Sequence, residues 1–228
     1  MRAPSKRIIE TFREAGEVIR MKGFTLFELL LVMMAFGVVL ILFMPSSHGN
    51  KVRVKRINCT CNLKQIGLSF SQCALDHDDK FPMQLAVTNG GTMELVDRGW
   101  VWPHFQVMSN ELNTPKVLVC PADTERSAAT NFGRDLINGR ISYFVGVDAT
   151  RTNPQSLLIG DRNLTNGVRV RNGFLVFTTN ELAEWTEEIH RRQGNAGLAD
   201  GSVQQLTTMR LRDQIAHSGL ATNRLAMP

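Results

Sequence analysis

The segment Gly23-Phe24-Thr25-Leu26-Phe27-Glu28-Leu29-Leu30-Leu31-Val32 sets one carboxylate inside an apolar run that continues to Met44. As a helix, such a run of 21 residues would rise about 31 Å, the thickness of a bilayer's hydrocarbon core. A helix that is apolar on every side has to be covered by lipid or by other helices. A charge at mid-membrane costs roughly 2.5–3.5 kcal/mol, and less near an end, so Glu28 calls for a function and a partner. The expectation is a helix over residues 24–44 that crosses a membrane or is packed among other helices.

A cut after Gly23 would supply the partner. It would place an α-amino group, positive at neutral pH, on Phe24. In a bundle of parallel helices that amine could pair with Glu28 of a neighbouring copy. Lys22-Gly23-Phe24-Thr25-Leu26-Phe27-Glu28 followed by an apolar helix resembles the type IV pilins and type II secretion pseudopilins. The resemblance implies that a prepilin peptidase removes residues 1–23 as a leader and N-methylates Phe24. It extends to Gly37 and Pro45, which fall at the fourteenth and twenty-second positions counted from Phe24, where the family carries helix-weakening residues. The partners it implies are the prepilin peptidase, copies of the same chain, other pilin-like subunits, an inner-membrane assembly platform and membrane lipid. It places the chain in the inner membrane as a single-pass protein, with a periplasmic or extracellular C-terminal domain.

The net charge of +5 is concentrated near the N-terminus. Removing residues 1–23 leaves 20 basic against 18 acidic groups, which gives no argument for a phosphate-binding surface and no expectation of a nucleic-acid partner. Lys and Arg flank the apolar run equally, five on each side, so charge alone does not orient it. Met21-Lys22-Gly23 would itself make a minimal leader, so Met21 is an alternative start. The helical spacing of Ile8, Ile9, Phe12, Ala15, Val18 and Ile19 speaks instead for a longer one.

Beyond Pro45, which ends or kinks a helix, Cys59, Leu63, Ile66, Phe70, Cys73 and His77 recur at spacings of 4, 3, 4, 3 and 4. That is one face of a helix, with Lys55, Arg56, Lys64 and Gln72 opposite. An amphipathic helix over residues 45–79 should therefore lie along a sheet and stop before Lys80-Phe81-Pro82. Short runs that read as strands follow at Val117–Cys120, Ile141–Val147, Ser156–Gly160, Val168–Val170 and Phe174–Phe177. Asn172-Gly173 and Asp200-Gly201 are hairpin signals, and Thr208–His217 reads as a short last helix. Strands collected after a long helix predict an α+β fold: a long N-terminal helix, transmembrane in its first half and kinked near Pro45, packed on a small, mainly antiparallel sheet in a globular domain of residues 80–228.

His190, nine residues, then Asp200-Gly201 resembles a signature of a pseudopilin-like subgroup. So do Asn58-Cys59, Cys120-Pro121 and Ser142-Tyr143-Phe144-Val145-Gly146. As a catalytic pair His190 and Asp200 would lack a nucleophile or metal, and the simpler reading is a turn with a His fixing a nearby loop. Cys59 and Cys73 lie about 21 Å apart along one helix, so an intrachain disulfide has to use Cys120, with Cys59 or Cys73. Four free thiols is the other outcome. The resemblance, in which the Asn-Cys and Cys-Pro positions recur together, favours Cys59–Cys120. Zinc ligands on one turn are spaced Cys-x2–4-Cys, and Cys59-x-Cys61 is too tight. No cofactor is expected, and Asp76, Asp78 and Asp79 are the weak candidates for calcium, with Asp161 and Asp200 similarly weak. Trp100, Trp102 and Trp185 read as core before they read as a binding patch.

The sequence is therefore expected to encode a pilin-like structural subunit, not an enzyme, in a type II secretion pseudopilus or type IV pilus-like filament. The rival from another class is a membrane-anchored periplasmic binding module or enzyme without a recognisable catalytic motif.

Overall fold

The computed structural model describes residues 23–43, 47–178 and 182–228. Two compact units divide the chain, Met1–Ser47 and His48–Pro228. The first holds helix α1, Leu26–Phe43, apolar throughout except for Glu28. The second holds nearly all of helix α2, Ser47–Leu75, together with a sheet and a C-terminal helix.

The expected membrane-crossing first half is corrected here. At 18 residues α1 rises only about 27 Å, short of the ~30 Å hydrocarbon core, and Glu28 takes up part of its first turn. Among the described residues no helix is long and apolar enough to cross a membrane. Pro45 and its expected kink, the leader through Lys22 and the alternative start at Met21 lie outside the described residues.

The stripe on α2 explains its position. Cys59, Leu63, Ile66 and Phe70 are fully buried, Cys73 nearly so, and Leu68 on the opposite side is exposed. Phe70 meets Phe81 and Phe105 edge-on, with ring centroids 5.9 and 6.2 Å apart. The helix stops at Leu75, where Asp78 and Asp79 take left-handed conformations and the Asp79 N–H returns to the Ala74 carbonyl. Lys80-Phe81-Pro82 then carries the chain away.

Six strands form one antiparallel sheet in the order β4-β8-β1-β2-β6-β7. They are β1 (Tyr143–Gly146), β2 (Leu157–Asp161), β4 (Phe174–Thr178), β6 (Gln193–Leu198), β7 (Val203–Thr207) and β8 (Thr222–Ala226). Strands β3 (Leu164–Thr165) and β5 (Glu184–Trp185) make a separate pair. Alternation sends Tyr143, Val145 and Ile159 into one core with α2. Phe144, Leu157, Leu206 and Leu225 go into a second core with Leu211 and Ile215 of helix α3, Thr208–Ala216. Covered on both faces, β1 and β2 are buried along their whole length.

Three local expectations change. Val117–Cys120 is no strand: Pro115 starts a 3-10 turn that ends at Leu118. Residues 168–170 are not a strand either, although Asn172 and Gly173 do form the turn, both at positive φ. Strand β8 was not foreseen, because Thr222-Asn223-Arg224 is polar. Its Arg224 is held by a bidentate contact to Asp148, and the Asn223 amide donates to Ser218.

Candidate functional site

Where α2 crosses the sheet, four ligand-type side chains from four separate places converge. Cys59 comes from the buried stripe of α2. Cys120 follows the 3-10 turn at Pro115–Leu118. Asp161 is the last residue of β2, and His190 precedes β6. All four are buried, and one donor atom from each lies within 4.8 Å of every other. Cys59 Sγ is 3.0 Å from Asp161 Oδ1, Cys120 Sγ is 3.4 Å from His190 Nε2, and His190 Nε2 is 3.5 Å from Asp161 Oδ2. Cys59 and Cys120 are both free thiols.

The neighbours fix each group. Tyr143 pairs with Asp161 across β1 and β2 and puts its hydroxyl 3.3 Å from Cys59 Sγ. Asn195 of β6 donates its backbone N–H and its side-chain amide to Asp161 Oδ2, at 2.7 and 2.8 Å. Arg56, one turn before Cys59, donates to the His190 carbonyl and to Gln193. Arg162, next to Asp161, grips Asp123 with two hydrogen bonds and reaches Glu188 with a third. Asp123 sits three residues after Cys120 and Glu188 two before His190, so charged clamps tie together the segments that carry the cluster. Arg191 and Arg192 are consecutive left-handed residues, an unfavourable backbone that the surrounding contacts hold in place.

Burial dominates the electrostatics. It pushes the Cys59 thiol far up and raises Asp161, although His190 and the two Asn195 donors oppose the shift at the carboxylate. Cys120 goes the other way, to about 6, because the Cys59 thiol and His190 hydrogen-bond its sulfur. Burial pulls His190 down, yet Cys120 and Asp161 hold it above its ordinary value. Cys120 is the more acidic of the two thiols, and Cys59 keeps its proton longer.

The remaining residues singled out in the sequence fall elsewhere. Asp200 and Gly201 form the β6–β7 turn, with Gly201 at φ +85° and Asp200 Oδ1 accepting from the Ser202 N–H. The His-x9-Asp-Gly motif thus sends its His into the buried cluster and its Asp-Gly to the far end of β6. Asp76, Asp78 and Asp79 are exposed, and Asp79 pairs with Arg151 at 3.0 Å. They do not converge: among the described residues the Cys59, Cys120, Asp161, His190 group is the only one of three or more such side chains placed to hold a metal ion. Cys73 lies away from the cluster beside His77. Trp185 is buried, whereas Trp100 stacks on Trp102 and is partly exposed. Gly23 and Phe24 are exposed coil, and a Cβ at Gly37 would meet open space. Glu28 Oε2 accepts from the Thr25 N–H at 2.9 Å while Thr25 Oγ1 accepts from the Glu28 N–H at 3.2 Å, a capping box at the start of α1.

No family model, curated protein or solved structure matches this chain. The chemistry open to the cluster follows from its own groups. Two thiols, an imidazole and a carboxylate can ligate one metal ion, or the thiols can oxidise to a disulfide. Sequence reasoning missed the set because it tested cysteine spacing along one turn, whereas these ligands are brought together from positions 59, 120, 161 and 190.

Proposed function

We propose that this chain is a structural subunit of a filament of the pilin and pseudopilin kind, freed for assembly by cleavage between Gly23 and Phe24. The observation that carries the reading is α1. Leu26, Phe27, Leu29, Leu30, Leu31, Val32, Met33 and Met34 are consecutive apart from Glu28, and each is about half exposed or more. A helix of this kind is stable in a folded assembly only when it is covered, and apolar surface of this extent marks an interaction site. Parallel copies of the same helix in a filament core supply that cover, with the domain of residues 48–228 as the head. Glu28 pairs there with the new amine of Phe24 in an adjacent copy and sets the axial register.

In this reading the partners are a prepilin peptidase, further copies, other pilin-like subunits and the platform that assembles them. On the same reading the role of the chain is assembly, with no reaction of its own. The test is coexpression of the full chain with a prepilin peptidase, mass spectrometry of the N-terminus and pelleting of sheared filaments. A mature chain starting at N-methyl-Phe24 in the pellet is the expected result. An N-terminus left intact beside active peptidase would overturn it.

A further inference from the structure

We propose that Cys59, Cys120, Asp161 and His190 bind one Zn²⁺ in a closed tetrahedral site that fastens α2 to the sheet. The donor set is the first reason. Two sulfurs, an imidazole nitrogen and a carboxylate oxygen suit a borderline-soft, four-coordinate ion, whereas calcium takes six to eight oxygens. Geometry is the second. Zinc–sulfur bonds of about 2.3 Å and zinc–nitrogen or –oxygen bonds of about 2.0–2.1 Å give a tetrahedron with edges of roughly 3.4–3.8 Å. The Cys120 Sγ–His190 Nε2 and Cys59 Sγ–Asp161 Oδ1 contacts already measure 3.4 and 3.0 Å, and one donor atom from each of the four residues lies within 4.8 Å of every other. The shortest is the one that lengthens when the Cys59 proton leaves and the metal enters.

The surroundings are the third reason. Ligating carboxylates are themselves held by donors, and both N–H donors of Asn195 go to Oδ2 of Asp161, leaving Oδ1 for the ion once Cys59 gives up its proton. His190 aims Nε2 at the centre, and its backbone carbonyl is fixed by Arg56. Binding releases to solvent the Cys59 proton and any proton still held among Cys120, His190 and Asp161. The two thiolates and the carboxylate then balance the dication to a net charge of −1, with His190 neutral. Every ligand is buried and none of the four positions is open to solvent, which is the pattern of a structural site. A Cys59–Cys120 disulfide would consume both sulfurs, so disulfide and zinc exclude one another here.

The inference does not rest on the filament reading. Full chain purified under reducing conditions is stripped with a chelator, then titrated with Co²⁺ and with Zn²⁺. One cobalt per chain is expected, with thiolate-to-metal charge transfer, the strong visible absorption of tetrahedral cobalt, and displacement by zinc. Cys120→Ser should abolish the charge-transfer signal from this site and Cys61→Ser, an exposed thiol, should leave it unchanged. At free zinc about a thousand times the Kd, the folded-to-unfolded ratio should rise about a thousandfold. Untreated protein should carry about one zinc per chain. A Cys59–Cys120 disulfide without zinc in untreated protein, a cobalt spectrum lacking the thiolate band, or full binding by a folded Cys120→Ser chain would each overturn the proposal. Where Cys120→Ser does not fold, the wild-type cobalt spectrum decides, because it reports sulfur ligation directly.

Discussion

Helices α1 and α2 follow one another in the chain and solve opposite problems. The second is striped: Cys59, Leu63, Ile66 and Phe70 are fully buried by the sheet core, while Lys64 and Leu68 face solvent. The first has no stripe, and its side chains are exposed in turn from Leu26 to Ile41. A helix with one apolar face is completed by its own domain, whereas a helix with only apolar faces needs something outside the chain. Stability of the folded unit should therefore respond to α2 and not to α1, and assembly should respond to α1.

The most severe way to break this contrast is a pair of equal truncations. Phe70→Ala should destabilise the domain by about 3–5 kcal/mol, since it empties a packed site against Phe81 and Phe105. Phe36→Ala, on exposed α1, should leave the denaturation midpoint of the monomer unchanged. Urea unfolding of both variants decides, and equal midpoint shifts would show that α1 is part of the folded core.

Acid gives the next largest effect, through a buried group of the second unit. His104 is buried, its Nδ1 lies 2.7 Å from Thr92 Oγ1, and its Nε2 meets no partner among the described residues. Burial lowers its pKa to about 4. The unfolded chain therefore binds the proton first as pH falls. This contribution is fully present above about pH 6.5 and is lost down to about pH 4, up to about 3 kcal/mol. Unfolding free energies measured from pH 7 to pH 4 should fall less steeply in a folded His104→Gln variant than in the wild type. Parallel profiles would remove His104 as the cause.

Glu28 sharpens the comparison within α1. As the capping-box residue it helps to close the helix start, and Gln can replace it in that role. As a counter-charge for the Phe24 amine it cannot be replaced by Gln. Glu28→Ala should lose both functions and Glu28→Gln only the second, so both should fail to give sheared filaments. Normal filament yield from Glu28→Gln would reduce Glu28 to a cap.

The stripe on α2 was legible in the sequence because its periodicity is local, and so was the turn at Asp200-Gly201, where the backbone needs a positive φ. The cluster was legible only in parts. Cys59 and Cys120 could be matched through helix geometry and family resemblance, and His190 through a motif. Asp161 stands out in the sequence only as a weak oxygen ligand for calcium, just past the apolar run Ser156–Gly160. Its partners Tyr143 and Asn195 are set by strand register, which one sequence does not display. Strand β8 was hidden for a similar reason, since its polar residues are satisfied by distant groups such as Asp148 and Ser218.

The cap at Thr25 also decides what a protease would meet. With Thr25 donating to Glu28 and receiving from it, the hydrogen-bonded ladder begins after Phe24. The Gly23–Phe24 peptide bond is then exposed coil lying just outside that ladder. An enzyme that reads an extended strand can seat this bond without unwinding a single turn of the helix. If the chain is cut there, the same two side chains would hold the new end, and only the charge of the terminus would change.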